Sequence, residues 1–426
     1  MATHGTAGAP PPLTITNVTL DGTPTALRCV DGVIVALGTE VVAQPGDEIV
    51  DGAGMAVLPG LVNAHTHAAM TLLRGYGDDL PLMEWLQTRI WPAEASLEPD
   101  DVYWGTRLAT IEMLRSGTTA FVDMYWHGPS VARAVADSGM RATVSSVFID
   151  GGDAARGASQ RAAVLDDLDA ISSFGPLVTA SLGPHAVYTV SPESLEWMGT
   201  VVAERDLAVH IHLSETEGEV HDCVAAHGVR PPALVDRCGL LGPTTVCAHG
   251  NWFDHDELDL MAARGVTVAT NPVSNLKLAT GRIFDHPEAR RRGVHVGLGT
   301  DGTASNNSLD LLDDVKVFAL WHKQAAGDPA VLPADEALAV ASGACSPLLG
   351  GGPLSVGGRA DLVLIRTDTV EMTPSPLPAA LVYGATGHLV DTAVVAGRVV
   401  MANREVPGTE EVLDEVRRRA ARLRKH

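Results

Sequence analysis

"VHVGLGTDGTASNNSLDLL", residues 294–312, admits two readings that lead to different folds. Gly297 to Gly302 satisfies G-x-G-x-x-G, the loop that cradles a dinucleotide pyrophosphate. The same residues read equally well as the end of a β-strand that delivers Asp301. A phosphate loop needs its glycines to lead directly into a helix, within an early βαβ unit and with an acid about 20 residues further on. Here "TASNN" separates the glycines from the next helical pattern, and the stretch comes late in the chain, after other strand-like runs. The dinucleotide reading therefore fails. The glycines end a strand tightly, and Asp301 is the residue of interest. Ser305 or Asn306 is the predicted cap of the helix that follows.

Working back from Val294, short β-branched runs alternate with segments of helical period. The runs fall at 61–67, 118–125, 141–149, 178–186, 208–215, 244–250 and 267–272, so that 294–301 is the eighth. Eight strand–helix units predict a (β/α)8 barrel, an α/β fold of the TIM type, over residues 59–356. The chain ends differ in character. "LTITNVTL" and "GVIVALG" near the start, and "DTAVVAGRVVMANREV" near the end, read as short strands with Gly-containing turns. Residues 1–58 and 357–426 are predicted to pair into one small β-sandwich domain, closed by a C-terminal amphipathic helix with acids early and bases late. The "GAPPP" start is the only low-complexity piece.

The 426 residues are 46% hydrophobic and 19% charged, enough for a large core, and the formal charge is −22. That balance argues against nucleic-acid or anionic-membrane surfaces, which need clustered Lys and Arg. A small-molecule substrate is expected instead, together with a homo-oligomeric assembly. No apolar stretch approaches the roughly 20 residues of a membrane span, and the N-terminus lacks the basic-then-apolar order of a signal peptide. The five scattered cysteines, with no C-x-x-C, point to a reducing cytoplasm.

The predicted strand ends carry an unusual set of side chains. His65 and His67 in "NAHTH" are two residues apart, so both imidazoles lie on one face of a strand end and can chelate one ion. "HIHLSE" offers His210, His212 and Glu215. His212 lies nearer the end, with a carboxylate three residues on, and suits a metal ligand followed by a base; His210 lies deeper, as a packed or supporting histidine. His185, His249 and Asp301 end strands four, six and eight. Taken singly, each is as well explained by core packing. Together they converge on the C-terminal mouth of a barrel, where barrel chemistry sits. Three imidazoles and a carboxylate suit zinc or another late first-row ion.

The stretches "PGLVNAHTHAAMTLLRG", "HLSET", "AHG", "NPVSNLKLATG" and "LGTDGTASNNSLDLL" occur in an order that resembles the amidohydrolase superfamily. The resemblance is to the branch of chlorohydrolases and S-adenosylhomocysteine/methylthioadenosine deaminases, and it covers nearly the whole chain. It implies that His65, His67, His212 and Asp301 hold one Zn²⁺ per chain, with Fe²⁺ or Mn²⁺ as alternatives. It implies that Glu215 shuttles protons and that His249 contacts the attacking water, with Asp301 sharing in catalysis. It also implies that Glu94, His185 and Trp85 contact substrate alongside Glu215 and Asp301. For Trp85 and Trp91 core packing is an equal alternative.

The function this resemblance implies is hydrolytic deamination of an aminated purine nucleoside, such as 5′-methylthioadenosine or S-adenosylhomocysteine. Glu215 would carry a proton to the ring nitrogen as water adds to the carbon bearing the amino group, so that no unstabilised ring anion forms. The alternative is hydrolysis of an amide or C–Cl bond at the same site. A cytidine-type zinc deaminase is excluded, because no P-C-x-x-C follows the "HDE" at 255–257. A non-catalytic metal scaffold would leave the full set of proton-transfer groups without a purpose. Family members that take S-adenosylhomocysteine place arginines just after strand three. Here the nearest positions are Ser145 and Ser146, and the next arginines are Arg156 and Arg161.

Overall fold

The computed structural model describes residues 11–423. Most of the "GAPPP" start lies outside the described residues. Two sheets organise the chain. Strands β1 (Leu13–Leu20), β2 (Thr23–Val30), β3 (Val33–Gly38) and β4 (Glu48–Pro59) come first. Eight barrel strands follow: β5 (Leu61–Thr66), β6 (Thr118–Tyr125), β7 (Arg141–Phe148), β8 (Val178–Pro184), β9 (Ala208–Leu213), β10 (Thr245–His249), β11 (Thr267–Thr270) and β12 (His295–Leu298). The chain returns to the first sheet with β13 (Leu362–Arg366), β14 (Val390–Val395) and β15 (Arg398–Met401).

Each run predicted as a barrel strand contains one of β5 to β12, and these pair in parallel in sequence order. Parallel strands in a barrel are covered on both faces, which is why β5 and β6 are buried at every position and do not alternate in polarity. The circle closes where the chain beyond β12 meets β5, and the Asp301 amide donates to the His65 carbonyl at 3.0 Å.

This seam explains the glycines of the opening stretch. A Cβ on Gly297 would lie 2.7 Å from Ala64 Cβ. One on Gly299 would lie 2.3 Å from Asn271 Oδ1 and 2.9 Å from the His65 backbone, and one on Gly302 would lie 2.4 Å from Met70 Sδ. The three glycines let the eighth strand and the turn after it lie against the first strand and its following turn.

The helix after this strand begins later than its pattern suggests. It spans Leu311–Ala326 and is capped by Asp310, whose carboxylate accepts from the Leu312 amide at 3.0 Å. The predicted caps are engaged elsewhere. Ser305 Oγ is hydrogen-bonded to Ser274 Oγ, and the Asn306 amide donates to the Thr300 carbonyl and to the Asp314 carboxylate. Those bonds hold residues 303–307 as turns and bends.

The terminal strands pair as expected, and they do so as one continuous seven-stranded mixed sheet in the order β15-β14-β13-β4-β1-β2-β3. The chain passes between sheets at Gly60. One face of the small sheet has its own core around Leu13, Ile15, Leu27 and Leu364. Val363, Ile365 and Val390 pack into the barrel's cluster. The C-terminal helix Thr409–Leu423 does not lie on the small sheet's core. It packs on the barrel helix Pro99–Arg115, where Arg419 and Arg422 both meet the buried Asp101.

Between β5 and the helix Pro99–Arg115 the chain runs through a 3-10 turn, Ala68–Leu73, and a helical segment at 82–94 that widens to π-type over Leu86–Ile90. This long β5 loop forms one wall of the barrel's mouth.

Candidate active site

His65 and His67 leave β5 on one face, as their spacing requires. His67 Nδ1 lies 2.5 Å from the Met124 carbonyl, and His212 Nδ1 lies 2.9 Å from the His185 carbonyl. A carbonyl only accepts, so both Nδ1 atoms carry the proton and both Nε2 atoms present lone pairs. Those two Nε2 atoms face each other at 3.3 Å. Asp301 Oδ1 lies 3.2 Å from His67 Nε2 and 3.4 Å from His65 Nε2, and the latter nitrogen is buried without a hydrogen-bond partner. Lone pairs converging at this range need a cation between them. His65, His67 and His212 bring their donor atoms within 4.8 Å of one another, and so do His65, His249 and Asp301; imidazoles with a carboxylate at the ends of strands one, five, six and eight suit a divalent ion.

The electrostatics agree. Asp301 is held well below the usual carboxylate range: burial opposes its charge, but His65 and His67 outweigh burial. Burial also opposes a charged ring at His67, but the Asp301 carboxylate facing Nε2 outweighs it and raises the pKa to about 9, so the carboxylate demands a cation at that nitrogen, either a proton or a metal ion in its place. His65 is driven down to about 4 by burial. It leans on His210, Nδ1 to Nε2 at 2.8 Å, so His210 stands behind the site and supports its neighbour.

The remaining predicted residues come to the same cavity. Glu94, Trp85, Trp91, His185, Glu215 and His249 line it with His67, His212 and Asp301. Glu215 Oε2 lies 3.8 Å from His249 Nε2. Burial raises the Glu215 pKa above the ordinary glutamate value, against the pull of His249. His185 bonds Thr189 Oγ1 through Nδ1 at 2.9 Å, and burial pushes its pKa down to about 3, so it stays neutral.

Several groups escaped sequence reading. Glu219, one helical turn beyond Glu215, accepts the backbone amides of Ser214 at 2.7 Å and Glu215 at 2.8 Å. Asn275 accepts from His249 Nδ1 at 2.9 Å, and Ser274 donates to Asp301 Oδ2 at 2.7 Å. Trp126 Nε1 donates to Glu94 at 3.1 Å. Ser274 and Asn275 lie in the quoted "NPVSN", but nothing in that string says which atoms they reach. Ser214, His249 and Asp301 all adopt left-handed backbone, at φ 52°, 74° and 61°. Such residues are uncommon outside turns and cluster at functional sites. Here they bend the chain at three strand ends and set the direction of the site's side chains.

The position after strand three needs a correction. Ser145 and Ser146 do not face the cavity. Ser145 sits inside the barrel, 2.9 Å from Ser181 Oγ and 3.4 Å from His210 Nδ1. Strand alternation then brings Val147 and Ile149 to the cavity wall. A second cleft, of about 270 Å³, lies by the start of β5 between the small sheet and the barrel. Its lining includes two aspartates and no histidine.

The pattern of the amidohydrolase family matches residues 56–400. The chain is 52% identical over 379 residues to a 5′-deoxyadenosine deaminase of Methanoregula boonei, covering 88% of this chain and 86% of that one. It is 42% identical over 390 residues to a 5-methylthioadenosine/S-adenosylhomocysteine deaminase of Pelotomaculum thermopropionicum, covering 89% and 88%. Its structure is similar to that of an adenosine deaminase from Xanthomonas campestris with bound zinc. The TM-score is 0.90 at 35% identity, over 98% of this chain and 100% of that one.

Proposed function

The chain belongs to the amidohydrolase family, and from that premise we propose that it is a metal-dependent deaminase of adenosine-type nucleosides, releasing ammonia. The observation that carries this reading is the convergence of three imidazole nitrogens and Asp301 Oδ1 beside a buried carboxylate of raised pKa, Glu215. His65, His67, His212 and Asp301 are the proposed ligands of Zn²⁺. Bound there, the ion supplies Lewis acidity that brings the pKa of a water down toward about 7.

The chain's own groups do the rest. Asp301 and His249 orient the attacking water. Asn275 holds His249 through Nδ1 and leaves Nε2 facing the site. Glu215 takes a proton from that water and passes it to N1 of the adenine ring as the oxygen bonds to C6, so that no negative charge is left on the ring. Burial raises the Glu215 pKa above the ordinary glutamate value, which favours a carboxylate that both takes and gives a proton. The water oxygen is then bonded to C6 as a hydroxyl; its proton passes through the Asp301 carboxylate to the amino nitrogen as the C6–N bond breaks, so that ammonia leaves and a carbonyl remains at C6. Neutral His185, with Glu94 and Trp85, positions the nucleoside. All these residues lie on the barrel side of the domain division proposed at 58/59 and 356/357. No described helix is long and apolar enough to cross a membrane. All five cysteines are unpaired, which fits a cytoplasmic enzyme.

The test is ammonia release by the zinc-loaded protein from adenosine, 5′-deoxyadenosine, 5′-methylthioadenosine, guanine, aminotriazines and carboxamides, with chloride release followed for chlorotriazines. Turnover of the adenosines is expected. Activity on triazines or amides with none on purines would overturn the nucleoside reading.

A further inference from the structure

Three imidazoles aim at the ion site, and two of them have their tautomer set directly by a backbone carbonyl, that of Met124 for His67 and that of His185 for His212. His65 is different. Its Nδ1 faces another imidazole, His210 Nε2, at 2.8 Å. A neutral imidazole has one N–H and one lone pair, so two arrangements satisfy that contact. In the first, His65 Nδ1–H donates to His210, and His65 Nε2 keeps its lone pair for an ion. In the second, His210 Nε2–H donates to His65, whose own proton then sits on Nε2. That nitrogen lies 3.4 Å from Asp301 Oδ1, and once protonated it cannot ligate.

The surroundings of His210 decide between the two. The ring is fully buried inside the barrel. It hydrogen-bonds the Asp123 backbone carbonyl. Its Nδ1 also lies 3.4 Å from Ser145 Oγ, which is 2.9 Å from Ser181 Oγ. A serine hydroxyl donates or accepts and so suits either arrangement. A carbonyl only accepts. With Nε2 taken up by His65, the proton that the carbonyl requires sits on His210 Nδ1, which leaves Nε2 with a lone pair. Only the first arrangement fits.

Resting on the reading of His65 as a metal ligand, we propose that His210 is a positioning residue that fixes the tautomer of His65, relaying to it the demand of the Asp123 carbonyl. Asp123 and Met124 are consecutive on β6. Their two carbonyls thus prepare both histidines of β5, one through His210 and the other directly. A partner behind a ligating histidine fixes its ring and proton before the ion arrives, and its loss weakens the site.

The experiment measures zinc affinity by competition with a chelating dye, together with Tm, for the wild type and three variants. His210→Phe keeps a ring but removes the acceptor. A cavity of about 230 Å³ at the base of the barrel, lined by His210, Val62, Val122 and Val246, gives the new ring room. His210→Gln places an amide oxygen near the position of Nε2, where it can accept from His65. The Phe variant should bind zinc about 10- to 100-fold more weakly, and the Gln variant should recover most of that loss. Ser145→Ala should bind zinc as the wild type does. A second measurement needs no variant to fold: histidine ¹⁵N spectra of the zinc-loaded wild type should place the protons of His65 and His210 both on Nδ1.

Four results would overturn the inference and leave the metal site standing. One is wild-type zinc affinity in His210→Phe. Another is equal weakness of the Phe and Gln variants, which would make His210 a packing residue. A third is a loss in Ser145→Ala as large as that of the Phe variant, which would make the serine pair the anchor. The fourth is a proton on His210 Nε2 in the zinc-loaded protein. A wild type that binds no zinc would overturn the metal-ligand reading itself.

Discussion

His67 Nε2 and His212 Nε2 face each other at 3.3 Å, while the Nδ1 of each is committed to a backbone carbonyl on a neighbouring strand. The carbonyls of Met124 and His185 therefore select the tautomer that aims two lone pairs at one point. Strand pairing sets this arrangement, because each carbonyl belongs to the barrel strand beside the histidine's own or to the loop that follows it.

Removing one member should remove the ion. His212→Ala should bind less than one equivalent of zinc by elemental analysis. It should lose activity by about 10³-fold or more, since Lewis-acid stabilisation is worth several kcal/mol. Chelation of the wild-type protein should lower its Tm, and zinc should restore it, because a ligand bound only to the folded state stabilises by about 2.7 kcal/mol at a hundred times its Kd.

Glu215 and Glu219 should separate chemistry from positioning. Glu215→Gln should retain its metal and lose kcat by about 10²- to 10⁴-fold, the usual contribution of a general acid–base group. Glu219 touches no reacting atom. It clamps the Ser214 and Glu215 amides at the left-handed turn that aims the base. Glu219→Gln should lower kcat by about tenfold with little change in KM, reflecting the loss of one of its two amide bonds, about 1.5 kcal/mol. A KM effect equal to the kcat effect would assign Glu219 a general packing role.

Gly299→Ala tests the barrel seam. Its Cβ would meet Asn271 Oδ1 and the His65 backbone together, and neither can retreat without moving the site. The expected loss is about 1–3 kcal/mol of stability, measured by denaturant unfolding, with weakened zinc binding because Asp301 and His65 share the displaced backbone. Gly293→Ala offers a control for backbone strain, since its Cβ meets nothing within 4 Å although its φ is 79°.

The small sheet should show its own acid response. Asp47 accepts two bonds from Arg28, at 2.9 Å each, and further bonds from the Gln44 amide and the Thr14 hydroxyl. These hold its pKa below the ordinary aspartate value, the Arg28 bond most of all. A carboxylate whose folded pKa is depressed stabilises the fold above its unfolded pKa, and that stability fades as pH falls through and below about 4. Wild-type Tm should therefore drop on acidification through this range, and the part due to Asp47 should vanish in Asp47→Asn. An identical acid profile in the variant would rule the group out.

Much of this molecule was legible in the chain because barrel strands and their ends obey short-range rules. The eight β-branched runs, the i,i+2 pairing of His65 with His67, and the failure of "GLGTDG" to enter a helix need only neighbouring residues to be read. Other features depend on residues far apart in sequence and had no local mark. Asp310 caps its helix because Ser305 and Asn306 are bonded to Ser274, Thr300 and Asp314. The long helix at the C-terminus was evident from its polarity, but its seat against Asp101 was not.

The sequence by itself determined the alternation of strand and helix, the set of chemically capable side chains and the strand ends that carry them, because periodicity and spacing are properties of the chain alone. Only the tertiary structure decided which nitrogen of each histidine faces the ion, and why Gly297 and Gly299 must be small. It also decided that Val147 and Ile149, rather than Ser145 and Ser146, face the nucleoside cavity. Tautomer, clearance and exposure are settled by atoms on neighbouring strands, and those neighbours exist only once the barrel has closed.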